Sequence, residues 1–330
     1  MLALRTQKEK FMKIRKYISY VLLLALVAGL TCLVSCSDGR SGKRKIVCSA
    51  FAQYDFTLNI LGEKAEDFDV IYLLENGSDM HSYANSVSAS DKLNILSSEL
   101  FICIGGESEK WVDEMLDDKN AENIRVLRLI NEVGETLCHE GDGHTHGEDN
   151  SHECDEHIWL SPKRASLMCD AICKELCVID PDAAEVYREN AKAYKEKLSE
   201  LDEDYEETVN SAKINYLVFA DRFPFLYMTN DYGINYSAAF DGCSTETGAS
   251  FETVRRLASD IKSSGTKVLL TLEKSGVNII DTLKNEVGDT QITSESVNSL
   301  QSVSRKDIDG GLTYLSAMRK NLEAFRKAMV

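Results

Sequence analysis

The segment "DPDAAEVYRENAKAYKEKLSELDEDYEETVNSAK" occupies residues 180–213 of a chain of 330 residues. Its apolar residues recur at alternating steps of three and four, which places them on one face of an α-helix. They are Tyr187, Ala191, Tyr194, Leu198, Leu201 and Tyr205. A coiled-coil dimerisation helix would need more heptads than this segment contains. The pattern therefore predicts a single long helix that joins two lobes.

Short apolar runs alternate with helix-like segments on both sides of this helix. The runs that read as buried strands are 45–51, 68–74, 100–106, 124–130, 214–221, 234–240 and 267–273. Strands that alternate with helices indicate α/β lobes with parallel sheets. The sequence thus predicts a first lobe at 46–179, a linking helix at 180–213 and a second lobe at 214–330.

The first 36 residues have the layout of a secretory signal peptide. A basic opening after Met12 precedes an apolar run and the small-residue end "LVSC". That end is similar to a bacterial lipobox, in which Cys36 becomes the lipidated first residue of the mature protein. An uncleaved membrane anchor is the alternative. Both interpretations place the rest of the chain outside the cytoplasm, after a polar tether at 37–45. Met12 is favoured over Met1 as the start.

Charge and cysteine usage narrow the range of partners. The formal net charge of −17 argues against nucleic acid and against anionic membrane surfaces as partners, and it is compatible with a cationic ligand.

Cys169, Cys173 and Cys177 recur every four residues, which is typical of small core residues on a helix. Cys138 and Cys154 flank a polar loop, and they either form a disulfide or bind zinc.

Most of the histidines lie in that polar loop, at 138–156. The loop is rich in Gly, Asp and Ser and has no apolar periodicity, which predicts a tract without fixed geometry. Imidazole and carboxylate together suit Zn²⁺, so the loop is predicted to capture ions weakly. The histidines concerned are His139, His144, His146 and His152. A solvated acidic loop that binds nothing is the alternative.

Two further histidines have more structured surroundings. His157 lies in "DEHIWLSP" at 155–162, where an apolar helix start follows the polar tract. His81 follows the predicted strand at 68–74, and open α/β sheets bind ligands at the carboxyl ends of their strands. Either histidine alone is more often structural than a ligand, but the occurrence of two in such surroundings favours a fixed metal site.

Several segments resemble the zinc/manganese solute-binding lipoproteins of bacterial metal ABC importers. "DEHIWLSP" at 155–162 is similar to the family's Asp-x-His-x-Trp-Leu-x-Pro, and "HSY" at 81–83 is similar to its His-x-Tyr. "ICIGGESEKW" at 102–111 resembles its Asn-Gly-x-x-x-Glu-x-Trp stretch. Residues 219–234 and 267–276 resemble two stretches of its second lobe, so the resemblance covers nearly the whole mature chain.

This resemblance implies two α/β lobes joined by a rigid helix, with a metal site in the cleft between them. It implies His81 and His157 as ligands from the first lobe and Glu273 from the second. Asp221 is the residue nearest the position of the fourth ligand. Two imidazoles and two carboxylates suit Mn²⁺ as well as Zn²⁺, and the His-rich loop favours zinc.

The resemblance also implies the partners and the location. The predicted partners are an ABC permease and its ATPase. The protein itself is predicted to be a monomer that a lipid anchor holds at the outer side of the cell membrane. An adhesin or a metal buffer without a transport partner is an alternative. A metallohydrolase is disfavoured, because "HTHGED" at 144–149 lacks strand context and the chain has no HExxH. The protein is predicted not to be an enzyme.

Overall fold

The structure is a computed structural model that describes residues 43–117, 124–138, 154–242, 244, 248–275 and 279–330. The predicted signal peptide with Cys36, and the tether as far as residue 42, lie outside the described residues. So do the four loop histidines, which are His139, His144, His146 and His152.

The first lobe contains a four-stranded parallel sheet. Its strands are β1 (Arg44–Cys48), β2 (Phe68–Tyr72), β3 (Leu100–Cys103) and β4 (Arg125–Arg128). The strand order is β2-β1-β3-β4, so β1 and β3 are central, and Ile46, Val47 and Phe101 are completely buried there. Because β1 begins at Arg44, the last two residues of the predicted tether belong to the sheet.

A second four-stranded parallel sheet lies in the second lobe. Its strands are β5 (Tyr216–Phe223), β6 (Asn235–Asp241), β7 (Val268–Leu272) and β8 (Thr293–Val297). The order is β6-β5-β7-β8. The β5–β6 register shifts between Phe219 and Arg222, and β5 pairs with β7 at Phe219 and Leu270. The end of β5 therefore departs from regular ladder pairing.

Helices surround both sheets. They are α1 (Phe51–Leu61), α2 (Met80–Tyr83), α3 (Ala89–Leu96), α4 (Trp111–Leu116), α5 (Pro162–Ile179), α6 (Ala184–Ser211), α7 (Leu226–Tyr232), α8 (Phe251–Ser264), α9 (Ile280–Val287), α10 (Arg305–Asp309) and α11 (Tyr314–Ala328). Pro162 occupies the first turn of α5, where a missing N–H costs no helix hydrogen bond. Within the described residues, no helix has the length and apolar character that crossing a membrane requires.

Helix α6 packs against both lobes. All six residues of the predicted apolar face are buried in it. The Tyr194 hydroxyl donates to Asp55 of α1 at 3.0 Å, and the Tyr205 hydroxyl donates to the Met318 carbonyl of α11 at 2.8 Å. Residues Arg44–Val330 form one compact unit around this helix. The predicted fold of two parallel α/β lobes with a long helix is confirmed.

Candidate metal centre

His81 lies just after the carboxyl end of β2, in the first turn of α2. The Asp79 side chain accepts a hydrogen bond from the His81 N–H at 2.9 Å and so caps this turn. On the imidazole ring, Nδ1 lies 3.0 Å from Glu156 Oε1 and 2.6 Å from Ser108 Oγ. Both neighbours accept hydrogen bonds, so Nδ1 carries the proton and Nε2 presents a lone pair.

His157 is held in the same way by a different carboxylate. It is completely buried, and its Nδ1 lies 3.1 Å from Asp155 Oδ1. The same oxygen accepts a hydrogen bond from the His157 N–H at 2.8 Å. Because a carboxylate accepts, Nε2 of His157 is also the unprotonated nitrogen. Carboxylates that orient histidines in this way are typical of the second layer of groups around a metal.

The two unprotonated nitrogens face each other. His81 Nε2 lies 3.1 Å from His157 Nε2. Two lone pairs at this distance repel unless a cation or a hydrogen-bond donor lies between them. The Gln301 side-chain amide supplies the donor, since its nitrogen lies 2.8 Å from His81 Nε2 and also hydrogen-bonds His157 Nε2.

Glu156 places a buried negative charge behind the His81 ring. Burial alone would raise the pKa of its carboxyl, but hydrogen bonds from His81 and Ser108 help to hold the pKa below its ordinary value. The carboxylate accepts from both the N–H and the hydroxyl of Ser108. Gly106 makes room for it, because a Cβ there would overlap the Glu156 side chain. This buried anion stabilises positive charge at the other end of the imidazole.

The second lobe reaches His157 through a glycine. A Cβ on Gly242, which follows β6, would lie 3.1 Å from His157 Cε1 and 2.7 Å from the Phe223 carbonyl oxygen. Glycine at this position therefore lets the backbone of the second lobe pass close to the imidazole.

Asp221 is fully buried, but its carboxylate is engaged with backbone groups. One oxygen accepts from the Leu272 N–H at 2.9 Å, and the other accepts from the Arg222 N–H at 2.8 Å. The sequence predicted that its strand ends at Asp221, whereas β5 continues to Phe223. The guanidinium of the neighbouring Arg222 lies 3.8 Å from Asp79 Oδ2.

Glu273, the last residue of the predicted strand 267–273, directly follows β7, and its carboxylate holds Ser299. Its two oxygens accept from the Ser299 N–H at 2.8 Å and from the Ser299 hydroxyl at 2.6 Å. Burial raises the pKa of Glu273, and the hydrogen bonds from Ser299 offset part of that rise.

The structure therefore brings together two of the four predicted ligands. Within the described part of the chain, no three His, Cys, Asp or Glu side chains converge on one point as metal ligands. The ligand roles of Asp221 and Glu273 stay predictions. Gln301 is the residue that the sequence analysis missed. It lies four residues after β8, which the sequence analysis did not predict as a strand, so the strand-end rule that drew attention to His81 did not point to it.

Cys138 and Cys154 form a disulfide. Of the two alternatives that the sequence left open, a disulfide and zinc binding, the structure shows the disulfide. The bond joins the ends of the His-rich loop beside the site, because Asp155 follows Cys154 directly. The Tyr227 hydroxyl connects the two ends of the loop, since it donates to the Asp155 carbonyl at 2.7 Å and accepts from the Leu137 N–H at 3.2 Å.

A protein-family model described as the periplasmic component A of a zinc-uptake complex, ZnuA, matches residues 46–328. The chain belongs to the ZnuA family. The match covers both sheets, the long helix and every residue of the centre described above. The membership agrees with the resemblance seen in the sequence.

Two named relatives align with most of this chain. The zinc-binding lipoprotein AdcA of Streptococcus pneumoniae is 31% identical over 314 residues, which are 93% of this chain and 60% of that protein. The chain thus spans well under two thirds of the length of the AdcA relatives. The high-affinity zinc uptake system protein ZnuA of Bacillus subtilis is 27% identical, over 93% of this chain and 94% of that protein.

Solved structures show the same fold as this ZnuA-family chain. The Zn(II)-bound ZnuA-like domain of Streptococcus pneumoniae AdcA superposes with a TM-score of 0.69 at 28% identity, covering 87% of this chain and 99% of that domain. The metal-dependent lipoprotein YcdH of Bacillus subtilis gives a TM-score of 0.72 at 26% identity, with the same coverage. The periplasmic zinc-binding protein TroA of Treponema pallidum, at 20% identity and a TM-score of 0.71, supports the fold alone.

Proposed function

We propose that this protein captures a divalent metal ion, with zinc favoured, outside the cytoplasm and delivers it to an ABC permease with its ATPase. The observation that carries the proposal is the pair of imidazoles whose Nε2 atoms face each other at 3.1 Å. Each ring is fixed from behind by a buried carboxylate, on Glu156 or Asp155. Both rings therefore direct the lone pair of Nε2 to the same point, where one cation would bind to both.

The spacing of the two nitrogens suits a shared ion. Two nitrogens bound to a tetrahedral zinc ion at about 2.1 Å would lie about 3.4 Å apart. The pair in this structure needs to open by only a few tenths of an ångström. A nitrogen-rich site favours Zn²⁺, whereas carboxylate and water ligands suit Mn²⁺. Manganese is therefore the second candidate for the ion.

Gln301 is the third protein group at this point. Its NH₂ group donates to both imidazoles. An incoming ion replaces these two hydrogen bonds. Rotation of the amide by half a turn then presents its oxygen to the ion. The carboxylates of Asp221 and Glu273, the ligands expected from the sequence, each accept two hydrogen bonds, and each oxygen keeps a second lone pair for an ion.

Location and partners rest on the relatives and on the N-terminal sequence. AdcA is named a zinc-binding lipoprotein, and the Bacillus subtilis relative is named a zinc uptake protein. The signal-like residues before Cys36 fit export and a lipid anchor in the membrane. We infer a monomeric binding protein without catalytic activity. The carboxylates next to the site histidines orient imidazoles, so neither is placed as a general base for a metal-bound water.

Calorimetric titration of the mature chain with Zn²⁺ tests the proposal. One tight site is expected in the wild type, and His81→Ala and His157→Ala should each remove it. A deletion of residues 139–152 is the matched control, and it should lose only the weaker binding of the loop. Loss of the tight site in the deletion, with retention in both single variants, would place the main site in the loop and refute the proposal.

A further inference from the structure

Asp155, whose carboxylate fixes the ring of His157, is itself held at both of its main-chain polar groups. Its N–H donates to the Leu137 carbonyl at 2.8 Å, and its carbonyl accepts from the Tyr227 hydroxyl at 2.7 Å. Asp155 is 1% exposed, and Tyr227 and His157 are completely buried. Because bulk water does not compete for buried bonds of this kind, they determine where the Asp155 carboxylate lies.

The Tyr227 hydroxyl bonds to two segments at once. It accepts from the Leu137 N–H at 3.2 Å while it donates to Asp155. Tyr227 lies in α7 of the second lobe, whereas Leu137 and Asp155 belong to the first. A side chain of the second lobe thus fixes the residue that orients an imidazole of the first.

Arg164 holds α7 at this point. Its guanidinium lies over the Tyr227 ring, 4.4 Å from the ring centre. Its Nε and Nη2 donate to the two carboxylate oxygens of Asp231, four residues after Tyr227, at 3.1 Å each. A two-point contact of this kind fixes orientation as well as distance.

The same guanidinium also holds the segment that leads to Leu137. Its Nη1 donates to the Val133 carbonyl at 3.1 Å and to the Glu135 carbonyl at 2.9 Å. Arg164 therefore keeps α7 and the segment 133–137 at a fixed separation. The Tyr227 hydroxyl needs that separation in order to reach both Leu137 and Asp155.

The disulfide between Cys138 and Cys154 adds a covalent link beside these contacts, since Cys138 follows Leu137 and Cys154 precedes Asp155. The link keeps the two segments close together. A disulfide joins side chains, so the direction of the Asp155 carbonyl is left to its hydrogen bond with Tyr227.

We propose that Tyr227 is a positioning residue of the metal centre, which fixes Asp155 so that its carboxylate holds Nδ1 of His157. Removal of the hydroxyl takes away a hydrogen-bond partner of both the Leu137 N–H and the Asp155 carbonyl. Asp155 then turns, and the His157 ring exchanges its tautomers. The consequence for metal affinity rests on the proposed function: the second lobe sets how well a first-lobe histidine binds the ion.

The first arm of the test is nitrogen NMR of the metal-free protein. In the wild type, His157 should show one protonated and one unprotonated ring nitrogen. Tyr227→Phe should move these two resonances toward each other, because the ring then populates both tautomers. The His81 ring, which Glu156 and Ser108 hold, should keep its two resonances well separated. Unchanged His157 resonances in Tyr227→Phe would overturn the proposal.

Tyr232→Phe is the matched control, because it makes the same change in the same helix. The Tyr232 hydroxyl donates to Asp202 at 2.6 Å, away from the histidines. This variant should leave the His157 resonances as in the wild type. Arg164→Lys tests the same contact without changing the tyrosine, since an ammonium group cannot reproduce the guanidinium's bonds to Asp231 and to both carbonyls. It should move the His157 resonances in the way that Tyr227→Phe does, and wild-type resonances there would count against the proposal.

The second arm is a double-mutant cycle on zinc affinity. Tyr227→Phe should weaken zinc binding about tenfold, the lower end of the range found for groups that orient ligands. In an Asp155→Ala background it should cause no further loss, because the carboxylate through which it acts is absent. Equal losses in both backgrounds would show that Tyr227 acts by another route and would overturn the proposal.

The two arms separate this proposal from the proposed function. A wild type that does not bind Zn²⁺ would refute metal capture, while the NMR arm would still decide whether Tyr227 positions His157. A wild type that binds zinc tightly, with unchanged His157 resonances in Tyr227→Phe, would refute positioning alone.

Discussion

At the scale of single residues, the carboxylates behind the imidazoles decide what the site can bind. Glu156 and Asp155 fix the Nδ1 proton of His81 and His157, which leaves two lone pairs directed at one point. A histidine without such a partner would exchange tautomers and turn its ring. The proposed metal binding thus depends on the two carboxylates that orient the imidazoles.

Asp221 provides a prediction at this scale. Asp221→Ala is expected to lower the free energy of unfolding of the metal-free protein by about 1 to 3 kcal/mol, because the buried Leu272 N–H loses its acceptor. Asp221→Asn retains one acceptor oxygen and should lose less. Urea unfolding of the two variants measures the difference. Unchanged stability together with lost zinc binding would instead support the ligand role expected from the sequence.

The site residues differ in how far the sequence could predict them. His81 and His157 were predictable, because one follows a strand end and the other lies in a distinctive apolar motif. The contacts of Asp221 and Glu273 were not predictable, because Asp221 accepts from the Leu272 N–H and Glu273 accepts from Ser299, which are tertiary contacts between distant parts of the sequence. Gln301 carries no charge, so a search for titratable ligands passes over it.

At the scale of secondary structure elements, helix α6 was the most predictable part of the fold. Its six apolar positions repeat with the helical period, and all six are buried. The short helices α2 and α10 have no such period, because four or five residues are too few to show one. Their capping residues Asp79 and Ser304 are the local signals that mark where they begin.

The contact between α6 and α1 gives a pH prediction. Burial raises the pKa of Asp55 from 3.8 to about 6, and hydrogen bonds from Tyr194 and the Tyr314 backbone offset only part of that rise. A carboxyl whose pKa is higher in the folded state stabilises below its unfolded pKa, and this stabilisation is lost as the pH rises through the folded pKa. Asp55→Asn should therefore gain stability relative to the wild type between about pH 4 and pH 6, by up to about 3 kcal/mol.

Urea unfolding of the metal-free protein from pH 4 to pH 7 measures this gain. Tyr194→Phe, which removes the hydroxyl that donates to Asp55, is a useful comparison. It should raise the pKa of Asp55 further and steepen the loss of stability with pH. A stability difference between Asp55→Asn and the wild type that does not change with pH would contradict the prediction.

At the scale of the whole molecule, three polar contacts join the two lobes. The Tyr72 hydroxyl donates to the Val303 carbonyl at 3.0 Å, and the Tyr314 hydroxyl donates to the Trp159 carbonyl at 2.6 Å. Arg305 pairs with Glu75 at 3.0 Å. Together with the single long helix, these contacts predict that the lobes do not swing apart.

Small-angle scattering with and without Zn²⁺ tests this stiffness. The radius of gyration should change by well under an ångström, because metal entry and release require local movement around Gln301, Asp221 and Glu273. A change of several ångströms would show hinged domain closure and contradict the role given to α6. A variant without residues 139–152 is the control for any change that comes from the His-rich loop.

The most direct measurement of the central claim is anomalous diffraction at the zinc edge from crystals of the zinc-loaded protein. The account predicts one strong peak bonded to Nε2 of both His81 and His157, at about 2.0 to 2.1 Å from each nitrogen. A peak on the loop histidines, or on the carboxylates of Asp221 and Glu273 with both Nε2 atoms unbound, would contradict it.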